Sequence, residues 1–427
     1  MTAKKLGTIT ASSLVISSMI GTGVFTSLGF QVVDIKSGFA ILFLWLLGGV
    51  VAFCGAVCYA ELGSVYKRSG GEYNLLRELY HPSLGFVAGW VSITVGFAAP
   101  ASLAAMALAS YLGTIVPNLP QNHVAASTIL VFGIIHSQSL RIGSRVQNIT
   151  TLLKVVLILI FILVGFSISS PQDVSLSPTS RSWGEIVSPP FAVALIYVSY
   201  AYTGWNSSIY IIGEMERPKR DLPKSLFLGT LIVTILYLLL NYVFLYTVPI
   251  ATLSGALEVG FLSGQAIFGE IGGVIIAIAI SILLLSTVSA YVFLGPRVSK
   301  ELGDDMKAFR FFAKTNTKGI PINAFIFSTL LSLFFIYSST FEQVLLYTSF
   351  LLISITTITV GGIFVLRAKG KIQSGGYQAW GYPFTPIIFI AVSLWTLIFV
   401  ALQQPIESGI SIGVLLVGIV FFFMTKD

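Results

Sequence analysis

Two polar interruptions lie inside otherwise apolar stretches of the sequence. Residues 17–25 read SSMIGTGVF and residues 200–208 read YAYTGWNSS, so glycines and hydroxyl side chains crowd the middle of each stretch. Backbone released from helical hydrogen bonding can line a polar cavity but cannot face lipid. An open helix N-terminus favours a carboxylate, and freed carbonyls favour an ammonium group. The pattern predicts a site for a zwitterion such as an α-amino acid; the alternative is that these glycines serve helix packing.

Lys154 is the one basic residue well inside an apolar stretch. A charge at the bilayer centre costs roughly 2.5–3.5 kcal/mol, so a basic residue there is expected to have a structural or functional role. One interpretation is that its side chain reaches back to the membrane interface. We hypothesise instead that its ammonium stands in for a metal cation. It would bridge a backbone carbonyl of the first interrupted stretch and the hydroxyl of Ser286 or Ser289, stabilising one access state over another.

Catalytic chemistry is not indicated by the remaining reactive side chains. The three histidines, His81, His123 and His136, are scattered, and Cys54 and Cys58 share one helix face at i,i+4 spacing, as core residues do. No zinc-ligand spacing and no nucleophile–base arrangement is present. The sequence therefore predicts no catalytic residue, no metal site and no cofactor.

The composition identifies the surroundings in which these residues work. Of 427 residues, 55% are hydrophobic and only 10% are charged, against roughly 25% charged in a soluble globular protein. This excludes a cytosolic enzyme, a disulfide scaffold and a disordered protein. The net charge of +7 is explained by cytoplasmic loops rather than by nucleic acid. The sequence predicts an integral membrane protein surrounded by lipid.

The apolar stretches are long enough for helices, since a bilayer core needs about 20 apolar helical residues. They do not alternate in polarity as the strands of a membrane barrel would. We therefore predict an all-α membrane protein with twelve transmembrane helices at residues 8–33, 38–65, 83–112, 123–139, 147–169, 187–213, 224–248, 266–296, 322–338, 341–366, 384–402 and 407–424.

The basic residues predict the orientation of these spans. All but three of the 24 basic residues lie at the termini or in the loops on the same side; the exceptions are Lys36, Lys154 and Arg181. The positive-inside rule then places both termini in the cytoplasm. Within one such loop, residues 306–314 interleave phenylalanines with basic residues, which fits either a short interfacial helix or a solvated loop.

The positions of the two interruptions predict an inverted repeat. Spans 1 and 6 start on opposite sides, so residues 1–169 (helices 1–5) and residues 187–366 (helices 6–10) would be repeats of opposite topology, with peripheral helices 11–12 at residues 384–424. Paired interrupted helices in inverted halves indicate a transporter site. A carrier of the major facilitator type would pair spans 1–6 with 7–12 and leave the interruptions unexplained.

Several motifs carry a resemblance to a known family. They cover most of the chain and read IGTGVF at residues 20–25, YAELG at 59–63, SGGEY at 69–73, RVQN at 145–148, AYTGWN at 201–206, GEMERP at 213–218 and KGIP at 318–321. Together with Lys154 they resemble the amino acid–polyamine–organocation superfamily. They are most similar to its L-amino-acid transporter branch, particularly the bacterial alanine–serine–cysteine exchangers.

The resemblance implies sodium-independent exchange of neutral amino acids by alternating access, on the sodium-coupled leucine-transporter-like fold. It implies that the substrate carboxylate binds N–H groups of residues 22–24, and that the amino group meets carbonyls of residues 19–20 and 200–203. Asn206 and Trp205 would support or close the site. The residues implied are Met19, Ile20, Gly21, Thr22, Gly23, Val24, Tyr200, Ala201, Thr203, Trp205 and Asn206.

Side chains at the interruptions predict the size and charge of the substrate. No charged side chain accompanies either interruption in the sequence, so a neutral substrate is expected. Thr203 stands where large-substrate relatives tend to carry glycine, which favours alanine, serine, cysteine or glycine as the substrate over leucine or phenylalanine. Tyr202 and Trp205 are interpreted as residues of the gate or the wall of the substrate site. Tyr237 is interpreted as either a cavity residue or a packing residue.

The expected partners follow from the same resemblance. Animal members pair with a single-span glycoprotein through a cysteine, and the corresponding loop here, residues 113–122, has none. We therefore expect a stand-alone protein of a bacterial inner (plasma) membrane. The alternative function is a proton-coupled amino acid symporter of the same fold. Exchange is favoured because no span contains an aspartate and because Glu61 is interpreted as a structural partner of basic loop residues.

Overall fold

The computed structural model describes residues 6–66, 70–138, 143–168, 170–370 and 376–425, with side chains omitted at 143–151. Some residues used above for orientation and resemblance therefore lie outside the described residues: Lys4, Lys5, Lys67, Arg68, Ser69, Arg141, Lys371, Lys426 and the side chains of the RVQN motif.

The described chain is helical, apart from one isolated β-bridge between Leu6 and Met215. In chain order the helices are α1 Thr8–Met19, α2 Gly23–Thr26, α3 Leu28–Asp34, α4 Gly38–Val65, α5 Glu72–Leu79, α6 Pro82–Val91, α7 Ala98–Gly113, α8 Gln121–His136, α9 Gly143–Gly165, α10 Ser180–Ile186, α11 Pro189–Tyr202, α12 Pro218–Thr247, α13 Ile250–Leu253, α14 Val259–Asp305, α15 Arg310–Ala313, α16 Ile322–Ser338, α17 Phe341–Ala368, α18 Phe384–Gln403 and α19 Pro405–Met424. A π-helical turn spans Ser92–Gly96, and 3₁₀ turns span Ser207–Glu214 and Lys307–Phe309.

The helix lengths bear on the predicted number of spans. Among the described residues, eight helices are long and apolar enough to cross a membrane, or up to nine if the bent pair Ser180–Ile186 and Pro189–Glu214 is one span. Each of the twelve predicted stretches contains helix, but α8 has only 16 residues and α16 only 17. An all-helical protein is confirmed, whereas twelve spans remain a prediction.

The centre of the bundle is built around α4, which packs against α11, α12, α17 and α18. Small residues permit the close approach that membrane helices use in place of a hydrophobic driving force. A Cβ at Gly48 would lie 2.4 Å from Val198, and one at Gly49 would lie 2.4 Å from Thr234. The same holds where α1 meets α12, since a Cβ at Gly229 would lie 2.6 Å from Val15. Larger residues at these glycines would separate the helices.

The predicted span 83–112 is not a single regular helix. A π-helical turn at Ser92–Gly96 joins α6 to α7, and Pro100 follows four residues after Gly96. Because proline has no N–H and its ring clashes with the carbonyl four residues earlier, the helix adjusts there by admitting an extra residue. This turn borders the cavity described below.

Glu61 and Arg367 join α4 to the end of α17. Arg367 donates two hydrogen bonds to the Glu61 carboxylate, at 3.0 and 2.7 Å, and the Ala379 backbone N–H donates a third at 2.6 Å. The Arg367 guanidinium also lies over the ring of Tyr382, 3.6 Å from its centroid. The structural role expected for Glu61 therefore has a specific partner, which ties the segment before α18 to the bundle.

Residues 306–314 form two short turns rather than one interfacial helix. Within them Phe309 is buried and stacks on Phe86 with ring centroids 4.8 Å apart, whereas Phe311 is exposed. The segment is thus anchored to α6 by one aromatic residue and leaves another at the surface.

Candidate functional site

The first interruption separates α1 from α2 at residues 20–22. Ile20 leaves the helical region with φ −73° and ψ 86°; Thr22 returns to helical angles, and α2 begins at Gly23. From there the chain continues through Ser27, which keeps helical angles, into α3. The first N–H groups of the resumed helix have no intrahelical acceptor, because the residues four positions earlier are not in helical register.

The second interruption separates α11 from the 3₁₀ turn Ser207–Glu214. Thr203 adopts φ −52° and ψ 136°, and Gly204 has φ +105°, a backbone conformation that favours glycine. A Cβ at Gly204 would also lie 2.7 Å from the backbone of Ser18. Glycine is therefore required twice over at this point, for its conformation and for the approach of α1.

The two interruptions pack directly against each other. A Cβ at Gly23 would lie 2.6 Å from the Ala201 Cα, so the start of α2 packs closely against α11. The hydroxyls of Thr22 and Tyr200 lie 3.2 Å apart. The Tyr237 hydroxyl, from α12, lies 2.6 Å from the Met19 carbonyl oxygen and 3.1 Å from that of Ala201. One tyrosine thus contacts a freed carbonyl at each interruption, which supports a packing role for Tyr237.

A cavity of about 350 Å³ opens beside the two interruptions. Its walls come from α1, from α4, from the π-helical turn, and from α14, α17 and α18, and they are mostly apolar. The α1 residues that line it all precede the break, so the cavity lies on the side of the interruptions from which α1 begins.

The structure brings part of the predicted site to this cavity. The predicted residues that line it are Ile20, Gly21, Lys154, Tyr202, Thr203, Trp205 and Asn206. The other predicted residues lie outside its lining: Met19, Thr22, Gly23, Val24, Tyr200, Ala201, Tyr237, Ser286 and Ser289.

Lys154 lies at the edge of the first interruption. Its side chain is 4% exposed, and among the described residues its ammonium donates to the Ile20 carbonyl at 2.9 Å and to the Thr287 hydroxyl at 3.0 Å. The Thr287 hydroxyl in turn donates to the Leu283 carbonyl at 3.1 Å. A positive charge thus joins the freed backbone of α1 to α14, as a coordinated cation would.

The α14 hydroxyl that the structure places against Lys154 is that of Thr287, which the sequence analysis did not name. Ser289 lies 2.8 Å from the Nε2 of His136 on α8, and Ser286 is buried. The prediction used depth in the membrane and not the face of the helix. Thr287 and Ser289 are two positions apart, about 200° around a helix, so only one of them can face α9. Thr287 is therefore the observed contact of Lys154 on α14, Ser289 contacts α8 instead, and a role for Ser286 stays a prediction.

A charged residue at the second interruption was missed. Glu72 lines the cavity from α5, and its carboxylate accepts hydrogen bonds from Asn206 and Tyr210. The prediction that no charged side chain accompanies either interruption is therefore wrong, because the fold brings Glu72 against the second one. The signal available was its place in the SGGEY motif, but Asn206 and Tyr210 are more than 130 residues away in the sequence.

Metal and redox chemistry find little support in the described part of the chain. It contains no group of three or more histidine, cysteine, aspartate or glutamate side chains that could hold a metal ion. Cys54 and Cys58 are buried, free thiols in α4. Lys154 and Glu72 are the charged side chains among the described residues that line the cavity, and the rest of its lining is uncharged.

Comparison with known proteins identifies the class. Residues 6–424 match the family described as amino acid permease, and the chain belongs to this family of membrane transporters, within the amino acid–polyamine–organocation superfamily. The resemblance inferred from the sequence motifs is confirmed, and the protein is membrane-embedded.

Individual relatives refine this placement. The chain is 28% identical to the serine/threonine exchanger SteT of Bacillus subtilis (strain 168), over 99% of its own length and 97% of that protein. It is 26% identical to the b(0,+)-type amino acid transporter 1 of Mus musculus, over 99% of its own length and 88% of that protein. It is 25% identical to the large neutral amino acids transporter small subunit 2 of Mus musculus, over 99% of its own length and 81% of that protein. The relatives are amino acid exchangers and transporters.

Proposed function

We propose that the chain is a sodium-independent exchanger of small neutral L-amino acids such as alanine, serine and cysteine, working by alternating access. The observation that carries the proposal is the cavity at two interrupted helices, with Lys154 bridging Ile20 and Thr287 at its edge. We further propose the twelve-helix fold with inverted repeats at residues 1–169 and 187–366 and peripheral helices at 384–424. Both termini would be cytoplasmic and the location an inner (plasma) membrane.

The backbone supports an α-amino acid as the substrate. The N–H groups of residues 22–24 suit a carboxylate, and the freed carbonyls of the two interruptions suit an ammonium group. Tyr237 and Lys154 already contact the carbonyls of Met19 and Ile20, but each carbonyl has a second lone pair. We propose that the substrate amino group uses these remaining positions and those of the second interruption.

The fixed charges support a neutral substrate side chain. Lys154 and Glu72 contribute one positive and one negative charge to the cavity lining, and each already has hydrogen-bond partners. A charged substrate side chain would need a partner of opposite sign. Lys154 and Glu72 are both already hydrogen-bonded to the protein, so neither is free to serve as that partner. The same ammonium supports sodium independence, because a sodium ion beside it at the Ile20 carbonyl and the Thr287 hydroxyl would be repelled by its positive charge.

The cysteines support a protein that works without a disulfide-linked heavy subunit. Both cysteines of the chain, Cys54 and Cys58, are buried within α4, and residues 113–122 contain none. A bond to a second chain outside the membrane would require an exposed cysteine.

Uptake by purified protein in liposomes tests the proposed function. With sodium absent and the pH matched on both sides, we expect radiolabelled alanine to enter only vesicles preloaded with alanine. Uptake into empty vesicles that rises with an inward proton gradient would establish the symporter instead. If neither condition gives uptake, the proposed substrate is wrong.

Replacing Thr203 with glycine tests the size of the substrate. Thr203 lines the cavity, and its hydroxyl donates to the Ser199 carbonyl at 3.2 Å, which fixes the side chain. We expect Thr203→Gly to raise leucine uptake relative to alanine about tenfold, since a group of this size discriminates by about 1–3 kcal/mol. Competition uptake in liposomes measures the ratio. Thr203→Val, which keeps the bulk, should leave the ratio unchanged; an unaltered profile in the glycine variant would refute the argument.

A further inference from the structure

Glu72 occupies a position that the proposed exchange of amino acids does not explain. It is the first residue of α5, it is 7% exposed, and it lines the cavity. Three donors, none of them charged, reach its carboxylate: Tyr59 at 3.1 Å, Asn206 and Tyr210. Hydrogen bonds to an ionised acceptor are stronger than those between neutral groups, so this arrangement is a strong local attachment.

The donors come from two different parts of the bundle. Tyr59 belongs to α4, whereas Asn206 and Tyr210 belong to the second interruption and the 3₁₀ turn that follows it. That turn packs against α1, α4 and α12, and α5 packs against α6 and α17. The carboxylate thus joins the start of α5 to the segment that follows the second interruption. We call Glu72, Asn206 and Tyr210 the Glu72 junction.

The backbone beside Glu72 is shaped for this contact. Gly71 has φ +64°, and a Cβ there would lie 2.2 Å from the Tyr210 ring. Only glycine combines that conformation with so close an approach. The aromatic ring of Tyr210 is therefore seated against the start of α5, and its hydroxyl reaches the adjacent carboxylate.

We propose that Glu72 is a positioning residue that holds the segment after the second interruption against α5 and so stabilises the access state in which the cavity is open. When that segment moves relative to α5, both bonds of the Glu72 junction must be exchanged for water. Because a protein distributes between its access states by their free energies, loss of the junction lowers the population of this state. The proposal rests on the alternating access of the proposed function, but it does not depend on which amino acid is carried.

A cysteine reporter tests the proposal without any substrate. Leu14 lines the cavity from α1 on the side where the chain enters. In a background with Cys54 and Cys58 replaced by alanine, the reaction of Leu14→Cys with a water-soluble maleimide in detergent micelles measures how often the cavity is open. We expect Glu72→Gln and Tyr210→Phe to slow this reaction by up to about fivefold. Loss of one ordinary hydrogen bond lowers the population of the open state by about this factor.

Tyr59→Phe is the matched control, since it removes a donor to the same carboxylate from α4 and not from the moving segment. It should leave the labelling rate unchanged. Size-exclusion elution of each variant checks that it folds. An unchanged rate in both Glu72→Gln and Tyr210→Phe overturns the proposal, as does equal slowing by Tyr59→Phe or faster labelling in Tyr210→Phe. Because no amino acid is added, failure here leaves the proposed function standing, and a failed uptake experiment leaves this result standing.

Discussion

Replacing Lys154 with alanine is expected to reduce amino acid exchange at least tenfold while the protein still inserts in the membrane. The change leaves the Ile20 carbonyl and the Thr287 hydroxyl without their donor, and an unsatisfied buried group costs about 1–3 kcal/mol. If that loss falls on one access state, a difference of about 1.4 kcal/mol is enough for a tenfold effect. Counterflow of labelled alanine in liposomes measures it.

Lys36→Ala provides the control for that experiment. Lys36 also donates to a backbone carbonyl, that of Val32 at 2.6 Å, but it lies after α3 and does not line the cavity. Its loss should leave exchange unchanged. Normal kinetics of Lys154→Ala from both faces of the membrane would show that the ammonium has no part in the transport cycle.

Replacing Arg367 with leucine is expected to lower the thermal unfolding temperature by several degrees. The Glu61 carboxylate is 1% exposed and Arg367 is 20% exposed, so among the described residues the substitution leaves this buried charge with the Ala379 N–H alone. Removing one partner of a fully buried pair costs 3–5 kcal/mol, and we expect about 2–3 kcal/mol at this partly exposed arginine. Fluorescence-detected thermal denaturation in detergent measures the shift.

Arg181→Leu is the corresponding control. Arg181 and Glu185 form an ion pair at 3.2 Å, but the arginine is 69% exposed, and exposed pairs contribute about 0–1 kcal/mol. Its unfolding temperature should stay close to that of the wild type. The double variant Glu61→Leu/Arg367→Leu should recover part of the loss, because no unpaired charge remains. Equal unfolding temperatures for Arg367→Leu and Arg181→Leu would contradict the assigned role of the pair.

The interruptions were predictable because their chemistry is local. A glycine-rich polar run in an apolar stretch is visible in a window of nine residues, and residues 20–22 and 203–206 are indeed non-helical or turns. The positive φ of Gly204 and its contact with Ser18 were not predictable, because they depend on how α1 and α11 meet.

The partners of charged residues were less predictable because they come from distant parts of the chain. Membrane depth placed Lys154 near α14, but the helix face chose Thr287. Glu72 lay in a motif that the sequence analysis had noted, yet nothing local connects it with Asn206, 134 residues later. For the same reason Glu61 could be expected to pair with a basic residue, but Arg367 could not be singled out.

The fixed ammonium of Lys154 also bears on how the carrier responds to membrane voltage. In the proposed exchange, one zwitterion of zero net charge leaves for each one that enters, and the lysine stays with the protein. The cycle is then electroneutral, so the roughly 2.3 kcal/mol that 100 mV contributes per translocated charge does no work on it. A membrane potential would neither drive nor oppose accumulation, and the direction of flow would follow the two amino acid gradients alone.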